Sequence, residues 1–282
     1  MPKIAFILKE SIPPFHFLAK IIQTLSRAEQ TTDIRELIRV IKQDPATTAK
    51  ILQVANSAAY MGSKEVSSIE SASALIGISA LKSVVLSSVV ASKFDTKKCP
   101  NFNAKEYWLE SVLTGENTAS IYSKLNKNTS NDIDIYCIGL LSNIGLLFLV
   151  DQFPDILNAI IPEITDKKSL SMLLTESFGL NEYELSAKLL EFWKLPEIFP
   201  ETAKSIPDIA YKNKYIDCVN TIRAAKKITQ LTLNKKVTSI EEDEAKADLN
   251  LPNFSNEHFI DITSKSNNNF EKNKLIAEAI CR

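Results

Sequence analysis

Only two histidines occur in 282 residues, His16 and His258, and they stand near opposite ends of the chain. Neither has a partner at metal-ligand spacing, so each reads as a surface or packing histidine. The same scarcity leaves no motif for a Ser-His-Asp or Cys-His nucleophile. Cys99, Cys137, Cys218 and Cys281 are far apart and form no CxxC pair. That spacing argues against a zinc knuckle and a disulfide framework, and fits a reducing cytoplasm. Only six glycines are present, without GxGxxG or GxxxxGK, which removes the usual phosphate-cradling loops. The paired carboxylates at Glu241, Glu242 and Asp243 lie in a polar run and read as solvated. One stretch stands out. "CIGLLSNIGLLFLV", Cys137 to Val150, reads as an apolar helix that carries two adjacent polar residues, Ser142 and Asn143, in its middle.

The elements that must hold these residues read as helices. Asp33 with Glu36, Asn103 with Glu106 and Asn181 with Glu184 each have capping-box spacing, which satisfies orphan N–H groups at a helix start. Asp44 followed by Pro45 opens "DPATTAKILQVAN", with proline where its missing N–H costs nothing. Asn56 and Ser57 close that helix; a left-handed Asn and a capping Ser are favoured over a binding pair. Gly77 divides "SIESASALI" from "SALKSVVLSSVVASKF", with Ser79 placed to cap the second half. "EFWKLP" sets Phe192 and Trp193 before a helix-stopping proline, and both read as buried aromatic core. Alternating runs are few, no Asn-Gly or Asp-Gly turn occurs, and no fixed repeat appears. Residues 231–282, weak in apolar content, are predicted to be short helices docked on the body and partly mobile.

Composition bounds the function classes. Hydrophobic residues make up 45% and charged residues 24%, within the globular range, and the length suits one large domain or two ordinary ones. A net charge of -1 supplies no overall positive field for nucleic acid. Lys212, Lys214, Lys226 and Lys227 could form a local basic strip, although a solvated helix face is the favoured reading. The first residues have too short an apolar run for a signal peptide. "ALIGISALKSVVLSSVVA", interrupted by Gly77 and Lys82, reads as buried globular helix rather than a membrane span, so no membrane insertion is predicted.

Asp44, Pro45, Asn56, Ser57 and Ala58, with "SIPPF" upstream and "SIESASALIGISALKSVVLSSVV" downstream, resemble the HDOD family, bacterial regulatory relatives of the HD phosphohydrolases. "YWLESVLTGENTASIYSKL", "IGLLSNIGLLFL" and "ESFGLNEYELSAKLLEFWKLPEIF" follow in the family's order, so the resemblance covers about residues 10–230. It implies an all-α, HD-like multi-helix bundle of two packed lobes, about 10–95 and 101–230. It also implies that the His-Asp metal pair of the catalytic relatives falls at Ser142 and Asn143. Other family ligand positions fall at Glu110 and near Asn220, and Tyr183 stands where a further histidine is frequent. Ser and Asn are weak neutral ligands, and one Glu cannot hold a catalytic metal. The resemblance therefore implies no cofactor and no catalysis, but a regulator or scaffold that binds another signalling protein. The length of the sequence predicts no attached receiver module, so its input would arrive in trans. A metal-dependent phosphohydrolase and a nucleotide or nucleic-acid binder are the rival readings, and a homo-oligomer is left open. Asp44, Pro45, Asn56, Ser57, Tyr183 and Trp193 are kept as candidates for a structural or small-ligand role.

Overall fold

The capping signals translate directly into helices in the computed structural model, which describes residues 22, 34–42, 44–60, 65–125, 135–234, 251 and 253–281. Asp33 and His16 lie outside the described residues, as do Glu241, Glu242 and Asp243. The first lobe contains α1 (Ile34–Ile41), α2 (Pro45–Ala55) and the long α3 (Ile69–Ala91). Asp44 caps α2 by accepting from Ala46 N at 3.1 Å, and Pro45 occupies its first turn. Gly77 kinks α3 with φ 80° and ψ 167°, a conformation that L side chains avoid.

Next come α4 (Ala104–Leu125), α5 (Ile135–Leu141), α6 (Gly145–Gln152) and α7 (Pro154–Ile160). They are followed by α8 (Leu170–Phe178), α9 (Glu182–Phe192), α10 (Ile198–Ser205) and α11 (Ile216–Asn234). Asn103 and Glu106 bond reciprocally at the start of α4, and Asn181 and Glu184 form the capping box of α9. Among the described residues the only extended pairing is an isolated bridge between Thr165 and Lys168. The fold is all-α.

The C-terminal region corrects the prediction of short helices. Its described part is dominated by one 25-residue helix, α12 (Asn256–Ile280), packed on α2, α3, α4 and α11. Phe259 and Ile262 bury beside Ile121 and Ile228, whereas Ile276, Ala277 and Ile280 join the main core. Lys50 of α2 donates to the Ile280 carbonyl at 2.8 Å, placing a cation at the negative end of the helix.

The core is continuous across both lobes, from Leu37 and Ile51 through Leu147 and Phe148 to Leu189 and Phe199. Among the described residues two stretches are apolar and long enough to cross a membrane by composition, Ile69–Ala91 and Ile135–Gln152, and both are mostly buried inside this core. Burying α5 and α6 requires close backbone approach. A Cβ on Gly145 would stand 2.5 Å from the Glu182 carbonyl oxygen and 2.6 Å from Ser186 N. Gly145 N instead donates to Ser186 Oγ at 2.8 Å.

Trp193 is buried and meets Phe94 with ring centroids 6.4 Å apart, joining the lobes. Phe192 does not share that burial: it is 47% exposed, because neighbouring residues on a helix point about 100° apart. The helix ends with Lys194 at φ 57°, and Leu195 N bonds back to Leu190 O at 3.1 Å. This is a Schellman stop with lysine where glycine is usual.

Two stability measurements check this packing. Gly145→Ala should lower stability by about 2–3 kcal/mol, seen as a lower urea midpoint at unchanged slope, because the methyl meets backbone that cannot turn aside. Lys194→Gly should raise stability by about 0.5–1 kcal/mol by removing a left-handed lysine, and a decrease would contradict the strain.

Candidate functional site

The cleft implied by the sequence lies among α4, the α5–α6 turn, α9 and α11. Ser142, Asn143 and Ile144 form that turn, so these polar residues separate two helices instead of interrupting one. The chain tightens there: Ser142 N reaches Gly139 O, Ile144 N reaches Leu141 O, and Leu146 N reaches Asn143 O. Ser142 is buried and donates its hydroxyl to Gly139 O at 2.8 Å. Asn143 accepts the Tyr107 hydroxyl on its carbonyl at 3.2 Å. Its side-chain Oδ1 is sealed from solvent without a hydrogen-bond partner among the described residues.

Opposite the turn, the cleft contains its own cation. Lys226 Nζ of α11 lies 3.3 Å from Glu110 Oε1 of α4 and 5.5 Å from the centroid of the Tyr183 ring of α9. The Lys226 side chain is 13% exposed and that of Glu110 33%. Burial pulls the Lys226 ammonium down, but the facing Tyr183 and Glu110 outweigh it, so its pKa is raised. Burial also pushes the Tyr183 phenol up. The structure therefore brings together Glu110 and Tyr183 through a residue that sequence reading assigned to a solvated strip. Lys226 sits one turn after the buried Ile222, at the margin of the apolar face formed by Cys218, Ile222 and Ala225. That register was the signal available in the sequence.

Asn220 lies on the same helix but faces a different task. Its Oδ1 accepts from Arg223 Nη1 at 2.9 Å. Arg223 also donates to the carbonyls of Ser205 and Ile206, at 2.8 Å each, and to that of Asp208. It thereby satisfies the orphan acceptors at the end of α10. Sequence reading placed this guanidinium, the first residue of "RAAKK", only in the solvated basic strip.

The first-lobe candidates make local structural bonds. Thr47 donates its hydroxyl to Asp44, and Asn56 exchanges two 2.8 Å bonds with the backbone of Val66. Asn56 has φ -90° and ψ 7°, not the left-handed conformation predicted, because those two bonds fix the chain after α2. Ser57 donates back to Val54 O at 2.7 Å rather than capping a following helix.

The donor set does not fit a divalent metal. Ser142 and Asn220 are neutral and engaged, Asn143 is neutral, and Glu110 already holds an ammonium. Among the described residues no group of three or more His, Cys, Asp or Glu is placed to bind an ion. The basic strip is also broken up: Lys214 pairs with Glu197 at 3.1 Å, and Lys226 turns inward.

Comparison with known proteins agrees with this all-helical, HD-like architecture. A candidate phosphohydrolase from Shewanella amazonensis SB2B superposes with a TM-score of 0.73 at 17% identity, covering 99% of this chain and 98% of that one. An HDOD domain protein of unknown function from Geobacter sulfurreducens gives 0.71 at 18%, covering 99% and 96%. A candidate signal transduction protein from Marinobacter aquaeolei VT8 gives 0.68 at 17%, covering 100% of this chain and 62% of that one. An uncharacterized protein of Treponema pallidum (strain Nichols) is 25% identical over 199 residues, 69% of this chain. The chain spans 38% of the length of that curated relative. The HDOD domain profile matches residues 12–207. The chain belongs to the HDOD domain family.

Lys226→Met should reduce stability by about 1–2 kcal/mol, a figure discounted for the partial exposure of Glu110. Adding Glu110→Gln to that variant should recover part of the loss. Because the lysine pKa is raised in the folded state, its stabilisation is complete below the ordinary value of 10.5 and is lost as pH climbs through the folded value. The difference between wild type and Lys226→Met in denaturant titrations should thus be flat through neutral pH and shrink in alkali.

Proposed function

We propose that this protein is a non-enzymatic regulator in signal transduction that acts by binding another protein in the cytoplasm. The observation that supports it is the Lys226–Glu110 pair beneath Tyr183. A divalent ion entering this cleft would face an ammonium and would have to displace it from the one carboxylate there. Membership of the HDOD family and a shared fold with a protein named for signal transduction agree with that reading. With no chemistry to perform, the product of the fold is its surface, and a change in partner binding is the output.

The test joins two measurements. Affinity capture of the full chain from its native cell, with mass spectrometry, should enrich a signalling protein that purified components then bind directly. Metal analysis with a phosphodiesterase and nucleotidase screen should show neither stoichiometric metal nor turnover. Bound metal with turnover that disappears in Glu110→Gln would overturn the proposal, as would capture that enriches nothing above background.

A further inference from the structure

A second polar site lies away from the Lys226 cleft, where the kink of α3, the middle of α4 and the C-terminal helix α12 enclose a cavity of about 330 Å³. Glu116 lies at its deep end. One of its oxygens, Oε2, accepts from Asn273 Nδ2 at 2.8 Å and from Asn269 Nδ2 at 3.3 Å. The other oxygen accepts no hydrogen bond among the described residues. Ile76, Ala80 and Ala119 provide an apolar wall, and Tyr60 lines the cavity with an aromatic ring. Two exposed cations stand at the rim: Lys272 Nζ is 5.5 Å from the Tyr60 centroid, and Lys265 Nζ donates to Ser120 Oγ at 3.4 Å.

We propose that this cavity binds a small metabolite with an N–H donor at one end and an anionic group at the other, of the mononucleotide class. The donor would meet the open oxygen of Glu116, an apolar planar body would lie along Ala80, Ala119 and the Tyr60 ring, and the anion would rest between Lys265 and Lys272. The ammonium and carboxylate of glycine or alanine stand on one carbon and cannot reach opposite ends of such a space. A mononucleotide separates its base from its phosphate by a sugar, and its volume suits a pocket near the lower limit for small-molecule sites.

The state of Glu116 agrees with this geometry. Burial pushes its pKa up, and the two asparagine amides and two lysines only partly restore the charged form. A buried acid whose charged form is disfavoured, placed in a cavity lined by complementary groups, is the pattern of a ligand site. Glu116 lies six residues after Glu110, which places the two acids on different faces of α4 and keeps this site separate from the cleft. The inference therefore stands or falls apart from the proposed protein-binding role.

Calorimetry on the full chain with AMP, GMP, adenosine and ribose 5-phosphate tests it. At least one mononucleotide should bind with a dissociation constant below about 1 mM, and the two fragments about tenfold more weakly. Glu116→Gln should weaken binding by about tenfold. Its ligand-free thermal midpoint should be unchanged or higher, since the amide has no ionisable group to desolvate. Lys272→Ala should weaken AMP or GMP but leave adenosine unaffected. The proposal is overturned if neither nucleotide binds at about 5 mM, or if Glu116→Gln and Lys272→Ala both bind as tightly as wild type.

Discussion

The fold depends on how closely other backbones can approach α5 and α6. Gly139 lies where a Cβ would meet Thr118 Oγ1 at 2.5 Å and the Gly115 Cα at 3.1 Å, while Gly145 presses on the start of α9. These contacts leave no room for side chains, so α4 and α9 are drawn against a nearly fully buried hairpin. Glu110 and Tyr183 inherit their positions from that clamp, and α11 closes over it with Lys226. The two glycines of "GLLSNIG" are thus required by packing, whatever the residues between them do.

A second constraint joins the C-terminal helix to the body through buried polar groups. Asn117 donates to Thr229 Oγ1 at 3.0 Å and to Ser266 Oγ at 3.2 Å, and Thr232 donates to the same serine at 3.0 Å. Three helices, α4, α11 and α12, meet in this network. Each member left without its partner would carry a desolvation penalty, so the arrangement fixes the register of α12 more narrowly than apolar contacts would. Glu116 with Asn269 and Asn273 extends the same seam toward the cavity.

What could be read from the sequence follows the range of the interactions involved. Asp44, Asn103 and Asn181 act on backbone within three residues, and their caps are visible in sequence. Gly77 likewise breaks α3 through its own torsion angles. The HDOD assignment and the all-α class rest on such ordered local signals. Long-range pairings were not visible. The low apolar content of "SKSNNNFEKNK" suggested a loosely held tail, yet Ser266 and Asn273 are buried because their partners are polar groups 34 to 157 residues away. Asn56 escaped the left-handed prediction because Val66 returns to meet it. Phe192 and Trp193 are adjacent in sequence, and only the tertiary contact with Phe94 decides which is buried.

The lysine in the cleft has a chemical consequence that differs from simple loss of a metal. An ordinary buried lysine is pushed toward neutrality, and a neutral amine is a nucleophile or base. Here the carboxylate of Glu110 and the phenol of Tyr183 drive the opposite shift, so the nitrogen has no lone pair to offer at physiological pH. A divalent ion would polarise a phosphoryl oxygen and acidify water. A monovalent ammonium tied to one carboxylate does neither with comparable strength, yet it neutralises the half-buried acid and joins α4 to α11. Because the charge is covalently attached, chelators cannot remove it and only alkali can. The cleft thus carries a fixed tie between two helices, and a divalent ion would have to compete with it for the same carboxylate.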